Sequence, residues 1–256
     1  MERAAQAARL GLQRMKTVLI TGATSGIGLQ LARDYIYDGW SVIACGRDRG
    51  RLEAVLPDIS DNFRVFDTTN REQTAQALAD VTDLDLVILN AGACEYVNDV
   101  LQFDAAMFEH VVQTNLLGTA NCLAALLPGL GRGSRIAIIS SSVTYLPLTR
   151  AEAYGASKAA LDYLGRTLAI DLERHGIDVS IVRPGFVDTP LTRRNDFPMP
   201  GRISVEQASL LIRAGLNRGR REIDFPFLFI LVMRILSWLP QALWHRIAVR
   251  MTRGHA

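Results

Sequence analysis

The amino-acid sequence predicts an α/β fold: a single domain built on a doubly wound parallel sheet, with an apolar, helical C-terminal extension. Three observations predict it. Strand-length apolar runs alternate with helix-period segments, most of these runs are apolar throughout, and the first opens directly into a glycine cluster followed by an amphipathic segment. Continuous apolar runs are expected of strands covered on both faces, and the alternation is that of strand-helix-strand units with right-handed crossovers.

The elements follow in order. Strands are expected at 17–21 (TVLIT), 41–45 (SVIAC), 63–66, 84–89 (LDLVIL), 135–140 (RIAIIS) and 178–182 (DVSIV). Helices are expected between them at 26–37, 49–56, 71–80, 105–127 and 152–175. A further helix is expected at 204–219, with Ser204 as its N-cap. The charged, Pro-containing stretch 191–203 before it is expected to be a mobile flap over a ligand. There is no internal repeat.

Composition narrows the class. Of 256 residues 49% are hydrophobic and 21% charged, with a formal charge of +2. This excludes disorder, and 20 Gly and 9 Pro without a period exclude collagen-like and low-complexity chains. Cys45, Cys94 and Cys122 are odd in number and lack metal-ligand spacing. A disulfide framework and a structural zinc site are therefore not expected, no metal is expected, and a reducing cytoplasm is the natural compartment. Residues 1–14 carry three Arg but no apolar core of signal-peptide length, and are read as a short N-terminal extension. Charge is uneven: residues 193–256 hold eleven Arg and four acids, net +7, which leaves the first 192 residues at −5. Lys16 and Lys158 are the only lysines.

Three local patterns carry chemistry. The first strand runs into Thr21-Gly22-Ala23-Thr24-Ser25-Gly26-Ile27-Gly28. Glycines allow a tight turn and a close approach of backbone amides to phosphate, at the positive end of a helix dipole, as in Rossmann-type sheets. Asn90-Ala91-Gly92 follows the fourth strand at the edge where such sheets bind ligands, although a strand-ending turn is the plainer reading. Tyr154 and Lys158 stand one helical turn apart, so an ammonium would favour the phenolate of a general acid/base. Ser140-Ser141-Ser142 ends the strand before that helix. There is no G-x-S-x-G elbow and no histidine in these loops, so serine hydrolysis is not expected.

Together with Asn115 and Arg183-Pro184-Gly185-Phe186-Val187-Asp188-Thr189-Pro190, these motifs resemble the short-chain dehydrogenase/reductase family in its shorter single-domain branch, over roughly residues 15–224. The resemblance implies an oxidoreductase in which Tyr154 is the catalytic acid/base. Lys158 lowers its pKa and binds the nicotinamide ribose, Ser141 orients the substrate carbonyl, and Asn115 holds a water in a proton relay. It further implies that Gly22, Thr24, Ser25, Gly26, Ile27 and Gly28 receive the dinucleotide. Asn90, Ala91, Gly92, Pro184, Gly185, Val187 and Thr189 border it, and Asp67 meets the adenine amino group. Residues 15–224 are then the dinucleotide-binding catalytic domain and 225–256 an apolar, basic helical segment.

Cofactor choice turns on the end of the second strand. Gly46 stands where relatives that prefer NAD carry Asp, and Arg47 follows it, so NADP is preferred with NAD as the alternative. The function expected is interconversion of a carbonyl and a secondary alcohol on an apolar or lipid-like small molecule. A non-catalytic dinucleotide-binding sensor is the alternative, and reduction of an activated double bond is a third reading. The resemblance also implies a homodimer or homotetramer, paired through helices 105–127 and 152–175; no nucleic-acid partner is expected.

The run from Phe225 to Pro240 contains Arg234, is bounded by Pro226 and Pro240, and precedes Trp244 and a basic tail. A bilayer span needs about 20 apolar residues, so crossing is disfavoured. Burial in an interface or over the pocket, and a peripheral membrane contact through 225–253 that would make a cytoplasmic protein membrane-associated, remain the two readings.

Overall fold

The computed structural model describes residues 14–253; the expected N-terminal extension lies, apart from Arg14, outside the described residues. Seven strands form one parallel sheet in the order β3-β2-β1-β4-β5-β6-β7. They are β1 (Thr17–Thr21), β2 (Ser41–Gly46), β3 (Phe63–Val65), β4 (Leu86–Leu89), β5 (Arg135–Ile139), β6 (Asp178–Pro184) and β7 (Glu222–Phe225). The helices between them are α1 (Gly26–Tyr37), α2 (Arg49–Val55), α3 (Arg71–Leu78), α4 (Ala105–Val112), α5 (Gly118–Leu126), α6 (Glu152–Glu173) and α7 (Val205–Asn217). Helices α8 (Phe227–Ser237) and α9 (Gln241–Arg253) follow β7.

Side chains of one strand alternate between two cores, as the pleat requires. In β1, Val18 and Ile20 pack with Leu31 of α1 and Ile212 of α7, whereas Leu19 packs on the other face with Leu78, Leu123 and Leu161. Helix starts follow the local chemistry: Asp48, Asn70 and Asp104 accept from backbone N–H groups of the first turns they cap. Ser204 and Gln207 form a reciprocal capping box, with Ser204 as the expected N-cap.

Two features differ from the sequence expectation. The helix expected over 105–127 is interrupted by a π-helical turn, Gln113–Leu117, which buries Asn115. The seventh strand was not anticipated, and its last residue, Phe225, lies past the expected domain boundary at 224. Its polar positions, Glu222 and Asp224, both bind Arg183 of β6, whose guanidinium meets Asp162 at 2.6 Å, Glu222 at 3.1 Å and Asp224 at 3.2 Å, while Glu222 itself stays exposed.

The apolar run 225–240 divides into the end of β7, helix α8 and a break at Pro240 before α9. Met233 of α8 and Trp244 of α9 form a third small core with Leu146, and the Trp244 indole donates to the Pro147 carbonyl at 3.0 Å. No helix among the described residues is long and apolar enough to cross a membrane.

Candidate active site

The strand order reverses at β1, running outward to β2 and β3 on one side and to β4 on the other, and ligands of open α/β sheets bind at that point, beyond the carboxyl ends of the strands. A cleft of about 430 Å³ opens there. Its floor is the glycine turn. Gly22 adopts φ +68°, and a Cβ on Gly28 would lie 2.4 Å from the Gly22 carbonyl oxygen, so α1 closes on the turn only with glycine at both positions. The Asn90 amide braces the turn, donating to the Thr21 and Gly22 carbonyls at 3.0 and 3.2 Å. Thr21 Oγ1 in return accepts from the N–H groups of Asn90 and Ala91.

The far end of the cleft is cationic. Arg47 and Arg51 both line it, and Arg47 lies 3.8 Å from Asp67. Partial burial pushes the Asp67 carboxyl up, but hydrogen bonds from Thr69 and the charge of Arg47 bring its pKa below the ordinary value. A Cβ at Gly46 would come within 2.8 Å of the Thr24 methyl, leaving no room for an acidic side chain at that position.

At the other end Ser141, Tyr154 and Lys158 open on the same cleft. The Ser141 hydroxyl, at the end of β5, is hydrogen-bonded to the Tyr154 phenol and also accepts from Val143 N at 3.2 Å. Lys158 Nζ donates to the Ile139 carbonyl at 2.8 Å and lies 5.8 Å from the centre of the Tyr154 ring. Burial pulls the ammonium down to about 8, against the charges of Cys94 and Asp162. The Tyr154 phenol moves the other way from the sequence expectation: burial, with Cys94 adding to it, holds its pKa above the ordinary value, and the Ser141 bond only partly offsets this.

Of the residues expected around a dinucleotide, Gly22, Thr24, Ser25, Gly26, Ile27, Arg47, Asp67, Asn90, Ala91, Gly92, Pro184, Gly185, Val187 and Thr189 all line the cleft. Gly28 and Asn115 do not. Gly28 acts through the packing just described. Asn115 sits behind Gly92, accepting from Ala93 N at 2.7 Å and donating to Ala93 O and to Ser157 Oγ, both at 2.9 Å. Its amide thus pins the loop after β4 to the helix bearing Tyr154, and the π-turn that carries it is the local distortion this requires.

Several residues were missed at sequence level. Arg51 stands four residues after Arg47, a spacing that could have found it. Beyond Tyr154 the rings of Tyr96, Phe197, Phe186 and Phe229 form a chain of contacts, with centroids 5.3, 6.1 and 5.5 Å apart in that order. They come from the loop after β4, the 191–203 stretch, the loop after β6 and α8. Arg150 ties that stretch down, binding Asp196 at 2.8 and 3.2 Å and Asn98 at 2.7 Å. No group of three metal-ligating side chains occurs among the described residues.

Known proteins resemble this chain in sequence and in fold. A family model described as short chain dehydrogenase matches residues 16–197. An uncharacterised oxidoreductase of Myxococcus xanthus is 32% identical over 247 residues, spanning 92% of this chain and 97% of that protein. A serine 3-dehydrogenase of Agrobacterium fabrum is 34% identical over 183 residues, 69% of this chain and 74% of its own length. Among solved structures, a short chain dehydrogenase from Burkholderia cenocepacia, in complex with NADP, superposes with a TM-score of 0.79 at 26% identity, covering 91% of this chain and 97% of that one.

Proposed function

The chain belongs to the short-chain dehydrogenase family, and from that membership we propose an NADP-preferring oxidoreductase that interconverts a carbonyl and a secondary alcohol on an apolar small molecule. One observation carries the reading: a phenol, a buried ammonium and a strand-end hydroxyl converge at one end of a cleft whose floor is a glycine turn. The cleft suits the cofactor. Gly22 and Gly28 leave the backbone amides of the first turn of α1 open to a pyrophosphate, and Arg47 and Arg51 offer cations to a ribose 2′-phosphate where Gly46 leaves no carboxylate to repel it. Bound there, the dinucleotide supplies hydride to a carbonyl carbon or takes it from an alcohol.

The chain's own groups handle the oxygen and its proton. In reduction Tyr154 gives its proton to the substrate oxygen, and in oxidation it receives that proton. Burial keeps the phenol protonated at neutral pH, the state reduction requires. Ser141, already bonded to the phenol, holds the same oxygen beside it. Lys158 fixes its ammonium on the Ile139 carbonyl and presents positive charge to the side of the ring. The expected water-holding role of Asn115 becomes, on these contacts, a positioning role on Ala93 and Ser157.

The aromatic wall of Tyr96, Phe197, Phe186 and Phe229 supports an apolar substrate. The intact Ser, Tyr and Lys set favours catalysis over a dinucleotide sensor, which has no use for a proton donor. Exposed Leu117, Tyr163 and Ile170 support pairing of copies through the long helices of residues 105–126 and α6. NADPH oxidation is to be followed across ketosteroids, acyl thioesters, sugars and aromatic ketones. The expected result is turnover of at least one apolar carbonyl, lost about a thousandfold in Tyr154→Phe while NADPH binding persists. Substantial turnover by that variant overturns the mechanism.

A further inference from the structure

Helix α8 has two faces of the same chemistry and opposite fates. Ile230 and Met233 point inward and are buried, and Phe229 packs against Phe186, behind Gly185. Phe227, Leu228, Leu231, Val232, Ile235 and Trp238 recur on a single outward stripe and are all exposed. The exposure is large: 74% for Phe227, 75% for Leu228 and 85% for Trp238. Six apolar side chains on one helix face are more than the scattered apolar residues of an ordinary surface.

Charge and size say what covers them. Residues 226–256 contain four Arg and no acid. Arg234 is bound to Asp224 and Tyr145, whereas Arg246 and Arg250 are exposed, one turn apart, and have no ion pair among the described residues. A second copy of this segment would bring arginine against arginine, while a layer of anionic headgroups would neutralise both. An 11-residue helix is about 16 Å long. Such a strip falls well short of the roughly 800 Å² each partner contributes to a standard protein interface. It is ample for a helix lying in the headgroup boundary, where tryptophan is favoured and nearby arginines are drawn to anionic lipid.

We propose that α8 is a peripheral membrane anchor, laying its outward stripe into the surface of an anionic lipid bilayer with Arg246 and Arg250 against the headgroups. The helix lies on the bilayer and does not cross it. Its inner face at the same time packs Phe229 against Phe186 and against Gly185, itself a cleft residue, which sets the anchor directly behind the loop after β6.

The test is binding of the full-length protein to phosphatidylcholine vesicles with and without about one third phosphatidylglycerol, in the absence of substrate, so that its failure leaves the proposed reaction untouched. The expected result is co-sedimentation with the anionic vesicles only, with a blue shift of tryptophan emission that Trp238→Phe removes. Leu231→Glu with Ile235→Glu, both at exposed positions, should weaken binding at least about tenfold while the melting temperature and NADPH binding are retained. Arg246→Gln with Arg250→Gln should weaken it less and flatten its salt dependence. Wild-type protein left in the supernatant, or equal binding by the Glu variant, overturns the proposal. So does a wild-type oligomer in solution that the Glu variant dissociates, since the stripe then belongs to a second copy of the chain.

Discussion

Lys158 and Arg183 are both buried cations, 4% and 1% exposed, and share one neighbour in Asp162, yet they are compensated in opposite ways. Among the described residues Lys158 has a single acceptor, the neutral Ile139 carbonyl, and burial draws its pKa down to about 8. Burial alone would lower Arg183 as well, but hydrogen bonds to Glu222 and Asp162 outweigh it and hold the guanidinium charged. The pairing of Arg183 is structural: it ties β6 to α6 and, through Asp224 and Arg234, to α8. A cation surrounded by carboxylates is inert over the working pH range. One left with a carbonyl remains responsive to its surroundings, and that is the one placed beside the phenol.

Removing the paired cation should have the largest effect. Arg183→Met leaves Asp162, Glu222 and Asp224 without their shared partner and should cost about 3–5 kcal/mol, lowering the melting temperature by on the order of 10 °C. Melting within a few degrees of wild type would erase the distinction between the two sites.

Lys158→Met should behave in the opposite sense, losing activity by about 100-fold or more at modest cost in stability. Its effect on stability depends on pH. The folded pKa lies below the unfolded one, so the unfolded chain binds the extra proton and wild-type stability rises as pH increases from about 8 towards 10.5. Denaturant melts at both ends of that window should show the wild type gaining about 2–3 kcal/mol on the variant. Parallel melts would mean that the ammonium is not destabilised by burial.

The smallest effect belongs to the shared neighbour. Asp162 supports the protonated form of Lys158, so Asp162→Asn should move the basic limb of the pH–rate profile, near 8 in the wild type, to lower pH by a fraction of a unit. Loss of activity at every pH without displacement of that limb would show Asp162 to be structural only.

The sequence disclosed what repeats locally and hid what closes over distance. Most of the first six strands were legible because both of their faces are apolar, Tyr154 and Lys158 because helical spacing brings them together, and Ser141 among its serine neighbours through the family resemblance. Strand β7 escaped because Glu222 and Asp224 read as surface residues until Arg183, about forty residues earlier, is seen to bind both and to bury the side chain of Asp224. The π-turn at Gln113–Leu117 escaped for the same reason, since the bonds that make it useful run from Asn115 to Ala93 and Ser157. Tyr96, Phe197 and Phe229 lie in three separate segments, and no spacing within any of them betrays a common wall.

Gly185 lines the cleft on one side and meets the C-terminal helices on the other. A Cβ there would press into Phe229 at 2.9 Å and Pro226 at 3.0 Å, so the loop after β6 and the start of the C-terminal helices fit together only while that position is bare. A chain ending at residue 224 would retain the hydroxyl, the phenol and the ammonium, together with the glycine turn, and yet lack the proline and phenylalanine that back Gly185. The C-terminal appendage is in that sense a buttress of the loop after β6, although none of the proton-handling groups named above resides in it.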